Sequence, residues 1–386
     1  MGMFCFQCQE TVGNKGCTAI GVCGKDSLVS NLQDLLIYLL KGISHWSVRL
    51  RSLGQADEEI SHFIASSLFL TLTNVDFDSD RMIERIKEAL DHRSRVREHF
   101  LKVYREKNGV EFPGPIHHSA IWTGNSEAEF LEKSEKVGIL ADENPLIRSL
   151  RWTIIYGLKG VGAYADHAAI IGYEDSDLYN FMQDALVATT DDNLTVDQLI
   201  SWVIKTGEYA VKAMDLLYRA NTQTFGHQEI TEVSTGTIPG PGILVSGHDF
   251  LDLKELLQQT QGKGINIYTH GEMLPANAYP ELKKFEHLKG NYGTSWWAQN
   301  KEFAEFGGAI LMTTNCLTKP MDTYKDRIFT TGLVGWPGVQ HIDDRKLGRQ
   351  KNFTPLIQKA LQLGSLQNKP GKIITIGFSY NTFEKY

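Results

Sequence analysis

Three short apolar runs, each bounded by glycine and each running into a residue able to bind a metal, constrain this 386-residue chain most tightly. They are Gly242-Ile-Leu-Val-Ser-Gly-His248, Gly264-Ile-Asn-Ile-Tyr-Thr-His-Gly-Glu272 and Ala309-Ile-Leu-Met-Thr-Thr-Asn-Cys316. Runs of this length and β-branched content read as buried parallel strands. Helical patterns lie between them, from Phe250 to Gln261 and, more loosely, from Tyr279 to Phe306. The alternation predicts a Rossmann-like parallel α/β domain. In such a sheet the ligand crevice lies outside the carboxyl ends of the strands, where His248, His270, Glu272 and Cys316 would arrive together. An imidazole, a carboxylate and a thiolate converging there suit an iron site better than a purely structural one.

Four of the five cysteines crowd into the first 23 residues as Cys5, Cys8, Cys17 and Cys23, in a glycine-rich segment without helix or strand periodicity. That distribution is wrong for a disulfide framework in a chain of this size. Four thiolates so close together repel one another unless a cation holds them. A tetrahedral zinc site and an iron-sulfur cluster both fit the count. Zinc ribbons usually carry two separated C-x2-C knuckles, whereas a cubane tolerates uneven spacing and gains from backbone N–H groups near its sulfurs, so iron-sulfur is favoured.

From Asn31 the pattern is helical for about two hundred residues. One face gathers Leu32, Leu35, Leu36, Leu39, Ile43, Trp46 and Leu50, and a later one Val196, Leu199, Ile200, Val203, Val211 and Met214. Thr195 and Gln198 form a capping-box pattern opening that later helix. Ile37-Tyr-Leu-Leu-Lys-Gly42 is echoed by Ile155-Tyr-Gly-Leu-Lys-Gly160, which hints at a duplicated bundle. Residues 106–127 read as the connection between the two sets of helices, and 221–241 as a linker into the strand-rich part. His45, His62, His92, His99 and His167 read as packing or surface residues. The expected organisation is a cysteine-rich cluster-binding loop at 1–30, a helical bundle domain at 31–225 and the α/β domain at 240–386.

A formal net charge of -7 and the lack of a basic cluster argue against a nucleic-acid partner. No stretch reaches membrane-spanning length and the start has no signal-peptide pattern, so a cytoplasmic protein is expected.

The motifs Met3-Phe-Cys-Phe-Gln-Cys-Gln-Glu-Thr11, Gly21-Val-Cys-Gly-Lys25, Ser246-Gly-His-Asp249, Tyr268-Thr-His-Gly-Glu-Met-Leu-Pro275, Gly290-Asn-Tyr-Gly293 and Thr314-Asn-Cys316 closely resemble the hybrid cluster protein family, also called prismane proteins or hydroxylamine reductases. The resemblance covers essentially the whole chain. It implies a [4Fe-4S] cubane on Cys5, Cys8, Cys17 and Cys23. It also implies a hybrid [4Fe-2O-2S] iron-sulfur-oxygen cluster to which His248, Glu272 and Cys316 contribute. Glu272 takes the ligand role, leaving His270 in a supporting or proton-delivering position; Asn315, Trp296 and Trp297 read as packing nearby.

The same resemblance implies an iron-sulfur oxidoreductase of nitrosative stress, a monomer served by an electron-donor protein. It would reduce a small nitrogen oxide, either hydroxylamine to ammonia and water or nitric oxide. Carbon monoxide dehydrogenases share a related architecture, but the amino-terminal motif points away from them. Family members continue into a further α/β domain supplying three cysteines and a glutamate, whereas this chain has no cysteine after Cys316 and its last residues, 379–386, leave the pattern. Three ligands do not enclose a multi-iron cluster. The alternative expectation is therefore a truncated, non-catalytic iron-sulfur protein that transfers or senses electrons; a zinc-stabilised binding protein is the third reading.

Overall fold

The computed structural model describes residues 2–346 and 349–380, in two compact units. One comprises residues up to Thr73 together with Asp78–Leu217, and the other Asn74–Phe77 with the chain from Tyr218 onward. Residues 381–386, most of the segment expected to depart from the family pattern, lie outside the described residues. Among the described residues no helix is long and apolar enough to cross a membrane.

The first unit is helical. Its elements are α1 (Ser27–Ser52), α2 (Glu58–Leu70), α3 (Ser79–Asn108), α4 (Glu127–Ser134), α5 (Pro145–Ile170), α6 (Ser176–Ala188) and most of α7 (Val196–Phe225). Short polar side chains start these helices: Asp26, Asp57, Asp78, Ser126, Asn144 and Asp175 each accept a first-turn N–H. The predicted face of α1 is the core, with Leu32, Leu35, Leu36, Leu39, Ile43 and Leu50 fully buried and Trp46 3% exposed. Each such leucine is worth about 2 kcal/mol of transfer free energy. Ile37 and Ile155, equivalent positions in the internal echo, meet in one cluster with Trp152 and Ile139.

The capping box on α7 forms as predicted, since Thr195 N–H donates to Gln198 Oε1 and Gln198 N–H to Thr195 Oγ1. Its predicted apolar face becomes core only at Leu199, with Val196 and Val203 half-buried. Ile200, Val211 and Met214 are exposed, and the helix buries Thr206, Ala213, Leu216 and Ala220 as well. Small residues on that stripe let the helix approach its neighbours closely, and apolar periodicity alone did not distinguish the two stripes.

The second unit carries β1 (Thr231–Ser234), β2 (Gly242–Ser246), α8 (Phe250–Thr260), β3 (Asn266–His270), α9 (Pro280–Lys283), β4 (Leu288–Asn291), α10 (Gln299–Phe306), β5 (Ala309–Met312), β6 (Ile328–Thr331), β7 (Gln340–Ile342), α11 (Thr354–Leu363) and β8 (Ile373–Ile376). Six strands form one parallel sheet in the order β4-β3-β2-β5-β6-β7, while β1 and β8 pair antiparallel in a separate ribbon. This is a doubly wound order. The chain steps outward from β2 through β3 to β4, then returns to β5 on the other side of β2, which places a topological switch point between β2 and β5.

Two expectations are corrected. Residues 279–306, expected as one loose helix, contain α9, the edge strand β4 and α10. The linker expected over 221–241 is occupied by the end of α7 and by β1.

Candidate metal centres

The central strands β2, β3 and β5 are buried at every position, so what their carboxyl ends carry is fixed by the core. Ser246 at the end of β2 lies in register with His270 on β3 and Met312 on β5. After Ser246 the chain turns at Gly247, with φ +109°, and Asp249 caps α8 by accepting the Asp252 N–H at 2.8 Å. His248 is thus held between a strand end and a helix start.

Thr314, just past β5, fixes the imidazole. Its Oγ1 accepts the His248 backbone N–H at 2.9 Å and lies 2.8 Å from His248 Nδ1. The other ring nitrogen, Nε2, is 2.9 Å from Glu272 Oε2. That hydrogen bond, ahead of an opposing desolvation cost, holds the Glu272 carboxyl below its usual range. Both ring nitrogens are thus engaged, Nδ1 by the Thr314 hydroxyl and Nε2 by the Glu272 carboxylate, and a cation at Nε2 would take the place of the proton that joins the pair.

Glu272 and His270 do not share a strand face. Gly271, with φ +56°, turns the chain into a short 3-10 segment, Gly271–Ala278, directly after β3. His270 is fully buried between Ser246 Oγ, 3.1 Å from Nδ1, and Glu302 Oε2, 2.9 Å from Nε2. Both of its nitrogens are engaged, so it supports the site from within while the Glu272 side chain stays 62% exposed.

Cys316 is half-buried, two residues beyond Thr314. Its carbonyl accepts from Gln299 Nε2 at 2.5 Å, and Asn74 clamps the next residue by accepting the Leu317 N–H at 2.9 Å and donating to its carbonyl at 3.0 Å. Asn315 Nδ2 lies 3.9 Å from the Cys316 sulfur. Trp296 and Trp297 form an edge-to-face pair, but Trp297 is 70% exposed and so does not pack the interior.

In the helical unit the four-cysteine loop is closed by a two-residue bridge, with Cys5 N–H donating to Cys17 O at 3.1 Å and Cys17 N–H to Cys5 O at 2.8 Å. All four thiols are free of disulfides, with Cys17 buried and the others half-buried. Burial raises the Cys23 pKa, opposed by Lys25 and reinforced by Cys5 and Cys8, which places three of the sulfurs within one another's fields. The Tyr156 hydroxyl is buried, and its ionisation is suppressed first by burial and then by Cys5, with the Phe6 backbone opposing. Four free thiols gathered in one short, bridge-closed loop fit a sulfur-ligated group. Among the described residues no three histidine, cysteine or acidic side chains stand together in a finished metal cage at either centre. His248 and Glu272 meet directly, and Cys316 follows two residues after the Thr314 that holds His248.

The model of the Prismane/CO dehydrogenase family matches residues 3–374. The chain belongs to that family. The family match is accompanied by relatives named hydroxylamine reductase. That of Petrotoga mobilis is 55% identical over 382 residues, covering 98% of this chain and 70% of its own length. That of Kosmotoga olearia is 56% identical over 381 residues, covering 98% and 68%. Among solved structures, carbon monoxide dehydrogenase IV of Carboxydothermus hydrogenoformans is similar at 14% identity and a TM-score of 0.40; the similarity spans all of this chain and 59% of that one. Within the family, the sequence reading missed Thr314, Gln299 and Glu302 as supports. Thr314 stood inside a quoted motif, but only strand pairing reveals that it faces His248.

Proposed function

We propose that this protein is an iron-sulfur oxidoreductase of the hydroxylamine reductase type, with a [4Fe-4S] cluster on Cys5, Cys8, Cys17 and Cys23. In this reading His248, Glu272 and Cys316 contribute ligands to a second, hybrid [4Fe-2O-2S] centre. The observation that carries it is the 2.9 Å meeting of His248 Nε2 with Glu272 at the switch point of the sheet. The relatives, more than half identical over nearly the whole chain, support the same reading.

When bound, the iron centres supply electrons and an open coordination position for a small nitrogen-oxide substrate; an external protein donor replenishes the electrons. Reduction of hydroxylamine breaks one N–O bond and consumes two electrons and two protons, giving ammonia and water. The chain's own residues orient and restrain. Thr314 fixes the His248 ring, Gln299 and Asn74 fix the Cys316 turn, and the buried His270–Glu302 pair holds the end of β3. Hard nitrogen and oxygen donors beside sulfur-bound iron make an asymmetric site suited to nitrogen and oxygen ligands. Nitric oxide is the alternative substrate.

The test is anaerobic turnover with reduced viologen as donor. Hydroxylamine-dependent oxidation with one ammonia formed per two electrons is the expected result. Absence of turnover from protein carrying both iron centres would overturn it, and preference for nitric oxide would move the assignment to that substrate.

A further inference from the structure

Two nearly fully buried lysine side chains lie beside the four-cysteine loop. Lys25 is 2% exposed and Lys159 3%. Lys25 Nζ donates to Gln33 Oε1 at 2.5 Å, and Lys159 Nζ to Gln7 Oε1 at 3.0 Å and to the Thr71 carbonyl at 2.8 Å. Every one of these acceptors is a neutral amide oxygen. An ammonium taken out of water without a counterion costs several kcal/mol, which amide oxygens offset only in part.

The buried carboxylate whose field reaches both is Asp34, itself 8% exposed. Burial pushes Asp34 towards its neutral form, against Lys159 and Lys25, and burial likewise pushes Lys159 towards the amine. With burial disfavouring the Asp34 carboxylate, the two lysines are short of negative charge around them. The thiols are where that charge would arise. Lys159 is in the field of Cys5, Lys25 in that of Cys23, and the buried Tyr156 hydroxyl in those of Cys5 and Cys8. Four thiolates around an iron-sulfur cubane leave a net negative charge, which grows by one on reduction.

We propose that Lys25 and Lys159 are the buried countercharges of the four-cysteine centre and that their positive charge sets its reduction potential. The inference rests on the reading that the loop holds an iron-sulfur cluster. A fixed cation stabilises the reduced, more anionic state more than the oxidised one, so removing it makes the centre harder to reduce. Lys159 is a positioning residue in this sense: it touches Gln7 and Thr71 and acts on the centre through its field. Lys41 and Lys159 occupy the same place in the internal echo, yet only Lys159 is directed onto the cysteine loop through Gln7.

The experiment is a dithionite titration of the full chain, purified anaerobically and followed by electron paramagnetic resonance, for the unaltered protein, Lys159→Met, Lys159→Arg and Lys25→Met. Iron and sulfide are counted in each. The two methionine variants are expected to lose at least tenfold in the equilibrium constant for reduction, a potential more negative by about 59 mV for one electron. Lys159→Arg, which keeps the charge, is expected to shift by less than half as much. A methionine variant with its full iron at the unaltered potential would overturn the proposal, as would an arginine variant that shifts as far as methionine. Should both methionine variants fail to hold iron while Lys159→Arg holds it, the countercharge is required for assembly and the proposal stands; if the arginine variant also fails, it falls. Iron missing from the unaltered protein would instead sink the cluster reading.

Discussion

His248 and Thr314 are joined twice, through the backbone N–H of His248 at 2.9 Å and its Nδ1 at 2.8 Å, both to one hydroxyl. That hydroxyl joins the end of β5 to the end of β2 and decides which ring nitrogen faces Glu272. Thr314→Val keeps the shape and removes both bonds. Supporting groups of this kind are worth roughly 10–100-fold in metal affinity. The expected outcome is a drop of that order in iron retained at the second centre, measured by dialysis against a chelator, with the four-cysteine centre unaffected.

The proposed second iron centre asks different things of His248 and His270, ligation of one and support from the other. His270→Ala empties a fully buried ring position and leaves Glu302 only its Thr294 bonds, and a loss of about 3 kcal/mol in unfolding free energy is expected from denaturant titration. His248→Ala, at a partly exposed position, is expected to change stability by less than about 1 kcal/mol while abolishing the signal of the second iron centre. The reverse pattern would exchange their roles.

Gly247 shapes the turn that delivers His248. Besides its φ of +109°, a Cβ there would stand 2.4 Å from Thr313 Oγ1 and 2.5 Å from the Thr314 nitrogen. Gly247→Ala should cost about 1–3 kcal/mol through the backbone alone and displace the imidazole, so that stability and hydroxylamine turnover fall together.

The legible part of the fold was its buried part. β2, β3 and β5 announced themselves because every residue in them is core, and α1 because its leucines recur at helical spacing. The edge strands β4 and β7, Leu288-Lys-Gly-Asn and Gln-His-Ile342, carry polar residues and glycine and resemble loops until a neighbouring strand pairs with them. The site was read in the same way. His248, Glu272 and Cys316 stand at strand ends, where a sequence can be counted. Lys159 reaches the cysteine loop from α5, 152 residues beyond the Gln7 it binds, and no local pattern predicts that contact.

Two buried histidines of the helical unit oppose its stability in acid. Burial lowers His45 to about 4 and His117 to about 3, with neighbouring positive charge adding to both, and their rings stack at 5.4 Å. A histidine depressed in the fold contributes stability that is complete above its unfolded value, about 6.5, and is lost as pH falls towards the folded one. The two histidines pull the melting temperature down between about pH 6.5 and 4, so His45→Gln and His117→Gln are each expected to gain on the unaltered protein as pH falls through that window. An unaltered slope in both variants would assign the acid response elsewhere.

Iron and acid-labile sulfide in anaerobically purified protein, read with the paramagnetic resonance of the reduced state, test the central claim most directly. The account predicts at least about four irons and four sulfides per chain with a cubane signal that disappears in Cys17→Ser, and a second, distinct signal where the hybrid centre is complete. Zinc in place of iron, or iron that survives Cys17→Ser unchanged, would contradict it.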